Sequence, residues 1–157
     1  MTIFHAGDLN LWHWRAESTL KEIEEAENAF YEAMEPLRHE KIDVAMFPVD
    51  PRQGYMYDAG ANHFIMSEKP RVFIPMHWQD RPEVAIEYAR RTRNPQTEVV
   101  PLTKAGTIAN LTFSEELLDI HIIEPPKDMD EQLYPIRRPG GNGLDPFMDT
   151  DLPVDIH

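Results

Sequence analysis

The sequence of 157 residues contains no cysteine. Disulfide frameworks, zinc ribbons and thiol nucleophiles are excluded together, so any metal must be held by histidine and carboxylate. Basic residues are scarce: 15 Lys and Arg stand against 28 Asp and Glu, a formal net charge of -13. A surface of that sign repels phosphate backbones and anionic lipid, which argues against nucleic-acid and membrane partners and leaves cation binding open. No run of about 18 apolar residues is present, and Met1-Thr2-Ile3-Phe4-His5 lacks the basic and apolar regions of a signal peptide. These absences predict a soluble, cytoplasmic protein. Also missing are the Gly-x-x-x-x-Gly-Lys-Ser/Thr loop, the Gly-x-Ser-x-Gly elbow and the Gly-x-Gly-x-x-Gly turn. Gly140-Gly141-Asn142-Gly143 lies in a Pro-rich stretch rather than between a strand and a helix, so it is no phosphate cradle.

What is present is an alternation of short apolar runs with helical periods. Ile3-Phe4-His5-Ala6 reads as a strand ending at Gly7-Asp8. From Ser18 to about Leu37 the period is helical. Thr19 and Glu22 form a capping box, Leu20, Ile23, Ala26/Glu27, Phe30, Met34 and Leu37 recur at spacings of three and four, and the Glu22-Glu24-Glu25-Glu27 cluster takes the solvated face. Ile42 to Val49 has the length and composition of a buried parallel strand, stopped by Asp50-Pro51-Arg52-Gln53-Gly54. Gly60 to Glu68 reads as a short helix and Arg71 to Met76 as a third strand ending at His77-Trp78. Pro82 opens a helix to about Thr92, where Arg90, Arg91 and Arg93 complement the helix dipole, and Thr97 to Leu102 supplies a fourth short strand. Strand, helix, strand, helix, strand, helix predicts an α/β layer on a parallel sheet with right-handed crossovers. Residues 1–111 are assigned to this unit. Residues 112–157 are assigned to a C-terminal extension, Pro-rich from about residue 124 and read as an irregular arm.

In open α/β sheets ligands bind beyond the carboxyl ends of the strands. Strand one delivers Asp8, Asn10 and His13 there, strand two Asp50 and Arg52, and strand three His77 and Trp78. Asp and neutral His suit zinc, manganese or iron. The plain structural alternative is that Asp and Asn cap strand-to-loop junctions and that a lone His is hydrogen-bonded. His5, an odd number of residues from Asp8, points to the other face of a regular strand and is assigned a structural role. His63 belongs to the surface or the layer between helices, and Asp50 with Arg52 either to the rim of a pocket or to a salt bridge that braces the loops.

The segments Phe4-His5-Ala6-Gly7-Asp8-Leu9-Asn10, Phe47-Pro48-Val49-Asp50-Pro51-Arg52, Gly60-Ala61 and Phe73-Ile74-Pro75-Met76-His77-Trp78 occur in that order. Over about residues 2–92 the chain resembles the C-terminal half of a metallo-β-lactamase-fold hydrolase, closest to the lactonase-like branch. The resemblance implies an αββα sandwich, of which this chain supplies one βα half. It implies that Asp8 is a carboxylate bridging two metal ions and His77 the terminal ligand, with zinc as the expected metal and manganese or iron as options. His13 is the best substitute for a further ligand, pinned by Trp12 and Trp14. The family's His-x-His-x-Asp-His motif occurs nowhere in the sequence. The expectation is therefore a hydrolase-like protein for an ester, lactone or phosphoester bond that is inactive alone or needs a complementary N-terminal-half chain. An oligomeric binding or assembly module derived from the fold, without catalysis, is the alternative, and whether the chain is itself an enzyme stays open.

Overall fold

In the computed structural model, described for residues 1–12, 18–114 and 117–126, six strands and three α-helices follow one another. They are β1 (Ile3–His5), α1 (Leu20–Met34), β2 (Val44–Pro48), α2 (Ala59–Glu68), β3 (Val72–Met76), α3 (Pro82–Arg91), β4 (Glu98–Val99), β5 (Ile108–Phe113) and β6 (Leu118–Ile123). The first four strands form one parallel sheet in the order β1-β2-β3-β4. The expected α/β class with a parallel sheet is therefore present. Residues 1–125 form one compact unit; of the second, 126–157, only Pro126 lies within the described residues. The Pro-rich arm expected from about residue 124 lies almost wholly outside them. No helix among the described residues is long and apolar enough to cross a membrane.

Local chemistry explains the helix limits. The Thr19 hydroxyl accepts from the Glu22 backbone N–H at 3.3 Å while the Glu22 carboxylate accepts from the Thr19 N–H at 2.7 Å, so the capping box opens α1. Pro36 cannot continue the hydrogen-bond ladder, so α1 stops at Met34 and a 3₁₀ turn carries the chain through Leu37. Lys69, at φ 50° and ψ 53°, closes α2 in the left-handed conformation. Pro82 begins α3, and Arg90 and Arg91 occupy its last turn, as the sequence predicts.

The strand order dictates the layers. When strands are added in sequence on one side, each right-handed crossover lands on the same face of the sheet. Accordingly Ala45, Phe47 and Phe73 meet Phe30 and Met34 of α1, Phe64 and Ile65 of α2, and Tyr88 of α3 in one buried cluster. Phe47 and Phe64 have ring centroids 4.8 Å apart and Phe73 and Tyr88 5.8 Å apart. Fully burying each such side chain contributes roughly 1.5–3 kcal/mol. His63 of α2 faces α1, its ring 5.6 Å from Phe30 and 5.0 Å from Tyr31, the second of the two places, surface or interlayer, that the sequence leaves open.

That arrangement leaves the opposite sheet face to be covered by something else. Strands β5 and β6 pair antiparallel as a hairpin whose Leu111, Phe113, Leu118 and Ile120 pack on Val44, Val72 and Val100. Arg71 anchors one end, its Nη2 donating to the Leu117 carbonyl at 2.9 Å and its guanidinium lying 4.8 Å from the Phe113 ring centroid. The sequence reading stops its last strand at Leu102 and misses this hairpin; β5 spans residue 111, where that reading sets its boundary. Among the described residues this cover is incomplete, because Ile3 and His5 on β1 point to the hairpin side and are exposed.

Candidate functional site

Three loops leave the carboxyl ends of β1, β2 and β3 and meet at one edge. The first begins with Gly7, whose φ of 58° lets the chain turn sharply just before Asp8. The Ala6 N–H still donates to the Met46 carbonyl of β2, so the loop is fixed where it leaves the sheet. Its far end is fixed by two buried amides. Asn10 Nδ2 donates to Gln53 Oε1 at 3.0 Å, Gln53 Nε2 donates to the Leu11 carbonyl at 2.6 Å, and the Leu11 N–H donates to Asn10 Oδ1 at 2.9 Å. Trp12 Nε1 donates to the Asp8 carbonyl at 2.9 Å. Asp8 itself sits at the apex with its carboxylate in solvent, 89% exposed.

The second loop is organised by Asp50, which has no solvent exposure. Its carboxylate accepts from the Arg52 backbone N–H at 3.0 Å and from the Arg52 Nε and Nη2 groups, so one side chain caps the 3₁₀ turn of residues 51–56 and holds the guanidinium. Burial pushes the Asp50 carboxyl up, yet the hydrogen bonds and charge of Arg52, with a smaller contribution from His77, hold it below the usual carboxylate range. The Arg52 guanidinium lies 5.9 Å from the Trp12 ring centroid, tying the first two loops together. The brace expected of Asp50 and Arg52 is thus present.

The third loop carries His77 and Gln79 at φ 61° and 58°. Non-glycine residues in this region cost of order 1–3 kcal/mol each and persist where the surroundings over-determine them. The turn brings His77 Nε2 to 3.3 Å from Asp8 Oδ1. On the hairpin side of His77 lies an open groove walled by Ile74, Met76, Trp78 and Leu102.

Of the three residues expected to ligate metal, the structure therefore brings Asp8 and His77 together. His13 lies outside the described residues. The Nδ1 of His5 accepts from the Gly7 N–H at 3.0 Å, a local structural bond. A separation of 3.3 Å is long for an N–H···O hydrogen bond. It matches the spacing of about 3.3 Å between two donors that each lie about 2.0 Å from a tetrahedral zinc. The spacing is that of two donors in a larger metal-ligand set, and equally that of a His–Asp ion pair. A catalytic zinc needs three protein ligands, and among the described residues no group of three His, Asp or Glu side chains is placed to hold one.

The signal for Asn10 and Gln53 as loop-fixing residues was missed at the level of sequence. Two amides 43 residues apart pair only once the loops have met. Compared with known proteins, the chain matches no family model, no curated protein and no solved structure.

Proposed function

We propose that this chain supplies one half of a metal-dependent hydrolase site of the metallo-β-lactamase kind, contributing Asp8 and His77 and depending on a complementary chain for the remaining ligands. The observation that carries the reading is the 3.3 Å approach of the two donors at the carboxyl edge of a parallel sheet. The order of the resembling segments and the helices gathered on one face support it. A bound divalent ion, zinc first and manganese or iron as options, would supply Lewis-acid polarisation and an acidified water for an ester, lactone or phosphoester bond. The residues of this chain hold and orient: Asp8 and His77 present their donor atoms, Asp50 and Arg52 fix the neighbouring loop, and Trp78 walls the groove beside His77.

Elemental analysis and zinc titration test the reading. The wild-type chain is expected to bind zinc weakly, Asp8→Ala and His77→Ala to bind none, and a partner bearing His-x-His-x-Asp-His to tighten binding and confer hydrolysis. A chain that takes up no metal alone or with such a partner overturns it. One observation favours the alternative of an oligomeric assembly module without catalysis: β1 ends the sheet, and its Ile3 is 55% exposed. An open edge of this sort is normally covered by pairing. Sedimentation showing a homo-oligomer that Ile3→Lys dissociates, in a protein that binds no metal, would favour that reading.

A further inference from the structure

Asp8 places an exposed carboxylate on a backbone that is held from both sides. Its carboxylate is almost wholly in solvent, while the backbone on either side of it is pinned by bonds. An exposed carboxylate needs no such support to be soluble. The support is concentrated two residues on, where Asn10 and Gln53 are 4% and 5% exposed. Burying two primary amides carries a desolvation cost that only good hydrogen bonds offset, and an apolar pair of the same shape would fill the space. The amides do what an apolar pair could not: Gln53 holds the Asn10 side chain and the Leu11 carbonyl at once, fixing the direction in which the chain leaves Asp8.

Helix α2 closes the clasp from behind. A Cβ at Gly60 would lie 2.1 Å from Asn10 Oδ1 and 2.9 Å from the Leu11 nitrogen, so only glycine lets the loop seat against the helix. The chain accepts glycine in the first turn of a helix, where alanine would favour helix formation by about 1 kcal/mol, and gains the close approach. On the opposing loop, His77 is held in a left-handed conformation that turns it toward Asp8.

We propose that Asn10, Gln53 and Gly60 form a clasp that positions Asp8 to share a divalent cation with His77, an inference that rests on the metal-site reading above. The three are positioning residues and touch no ligand. Side chains that orient metal ligands affect metal affinity by about 10–100-fold. The clasp also removes the need to order the loop when the ion arrives, since each backbone residue fixed on binding would weaken it.

Two variants of the full chain test this from opposite sides. Gln53→Met removes both amide bonds at nearly constant volume; Gly60→Ala leaves every polar group in place and pushes Asn10 and Leu11 away, with the helix-propensity gain protecting the fold. In metal-free protein, the NMR cross-relaxation between the His77 ring and the Asp8 side chain is expected to fade in both variants while contacts between Phe47 and Phe64 persist. In calorimetric titration with zinc chloride, both are expected to bind about tenfold or more weakly than wild type. Variants that keep the His77 to Asp8 contact, or keep wild-type zinc affinity, overturn the inference and leave the metal-site reading standing. A wild type that binds no zinc, alone or with a partner bearing His-x-His-x-Asp-His, but whose His77 to Asp8 contact depends on the clasp, overturns the metal-site reading and retains the positioning role.

Discussion

Replacing Arg52 by Gln leaves a carboxylate with no solvent exposure short of its main partner, and the structure sets the size and pH dependence of the cost. Asp50 accepts from Arg52 Nε at 2.9 Å and from Nη2, and the guanidinium that does this is 55% exposed. In the variant Asp50 either stays charged without compensation or takes a proton. The second route caps the cost, because protonating a carboxyl of ordinary pKa about 3.9 takes about 4 kcal/mol at pH 7 and about 1.5 kcal/mol at pH 5. Losing the half-exposed guanidinium also admits water to the carboxylate, so about 2–3 kcal/mol is expected at pH 7. In the wild type the Asp50 carboxyl is held below its unfolded value. Its stabilisation is therefore complete above the unfolded pKa and is lost as pH falls through the lower folded one. In Arg52→Gln the folded value rises instead, and stability falls as pH increases. The gap between the two proteins should be widest at pH 7 and narrow toward pH 5. Urea denaturation at pH 7, 6 and 5 measures it, with Asp50→Asn/Arg52→Gln as a control expected to lie between the two at pH 7. A gap unchanged from pH 7 to pH 5, or a variant as stable as wild type at pH 7, would refute the argument.

Lys69→Gly should stabilise the protein by about 0.5–1 kcal/mol and raise Tm in a thermal melt, because glycine adopts the φ of 50° at the end of α2 without a Cβ penalty. Thr19→Ala should cost about 1 kcal/mol by opening the capping box. The same change should return the Glu22 carboxyl only part of the way toward its ordinary value, since its lowering comes first from the Thr19 backbone N–H, which alanine keeps, and second from the Thr19 side chain, which it loses; carbon-13 titration of Glu22 reads this directly. Phe47→Ala, at a side chain with no exposure packed against Phe30, Phe64 and Phe73, should cost about 3–5 kcal/mol in urea denaturation.

The parallel α/β layer was legible because each of its signals is local. Thr19 and Glu22 announce a helix start, Pro82 another, and the run from Ile42 to Val49 is apolar enough to exclude an exposed strand. The hairpin was missed although its alternation is present: Ala109, Leu111 and Phe113 face one way, as do Leu118, Ile120 and Ile122. A six-residue alternation shows which face is buried but not against what, and only the singly wound strand order reveals a sheet face in need of cover. For the site, Asp8 and His77 were visible as polar residues just past strand ends. Their separation depends on left-handed backbone at His77 and Gln79, conformations that neither residue type advertises.

The same strand order also decides where the protein is open. Because β1 to β4 run in sequence, β1 and β4 are both edges and the helices protect only one face. The hairpin covers Val44, Val72 and Val100, toward the β3 and β4 side. What it leaves uncovered lies toward β1: Ile3 and His5 are exposed, and Met46 beside His5 is only half-buried. Met76 and Trp78, also half-buried, continue that surface to His77 through the groove wall. Among the described residues an unpaired strand edge, an incompletely covered sheet face and a donor pair short of ligands thus adjoin one another. On the reading proposed above, one polypeptide seated along β1 and across Met46 and Met76 would answer all three. The substitution that separates docking from ligation is therefore Ile3→Lys. It lies five residues before Asp8, outside the clasp and the donor pair, and should abolish association with a complementary chain while leaving zinc binding by the isolated protein unchanged.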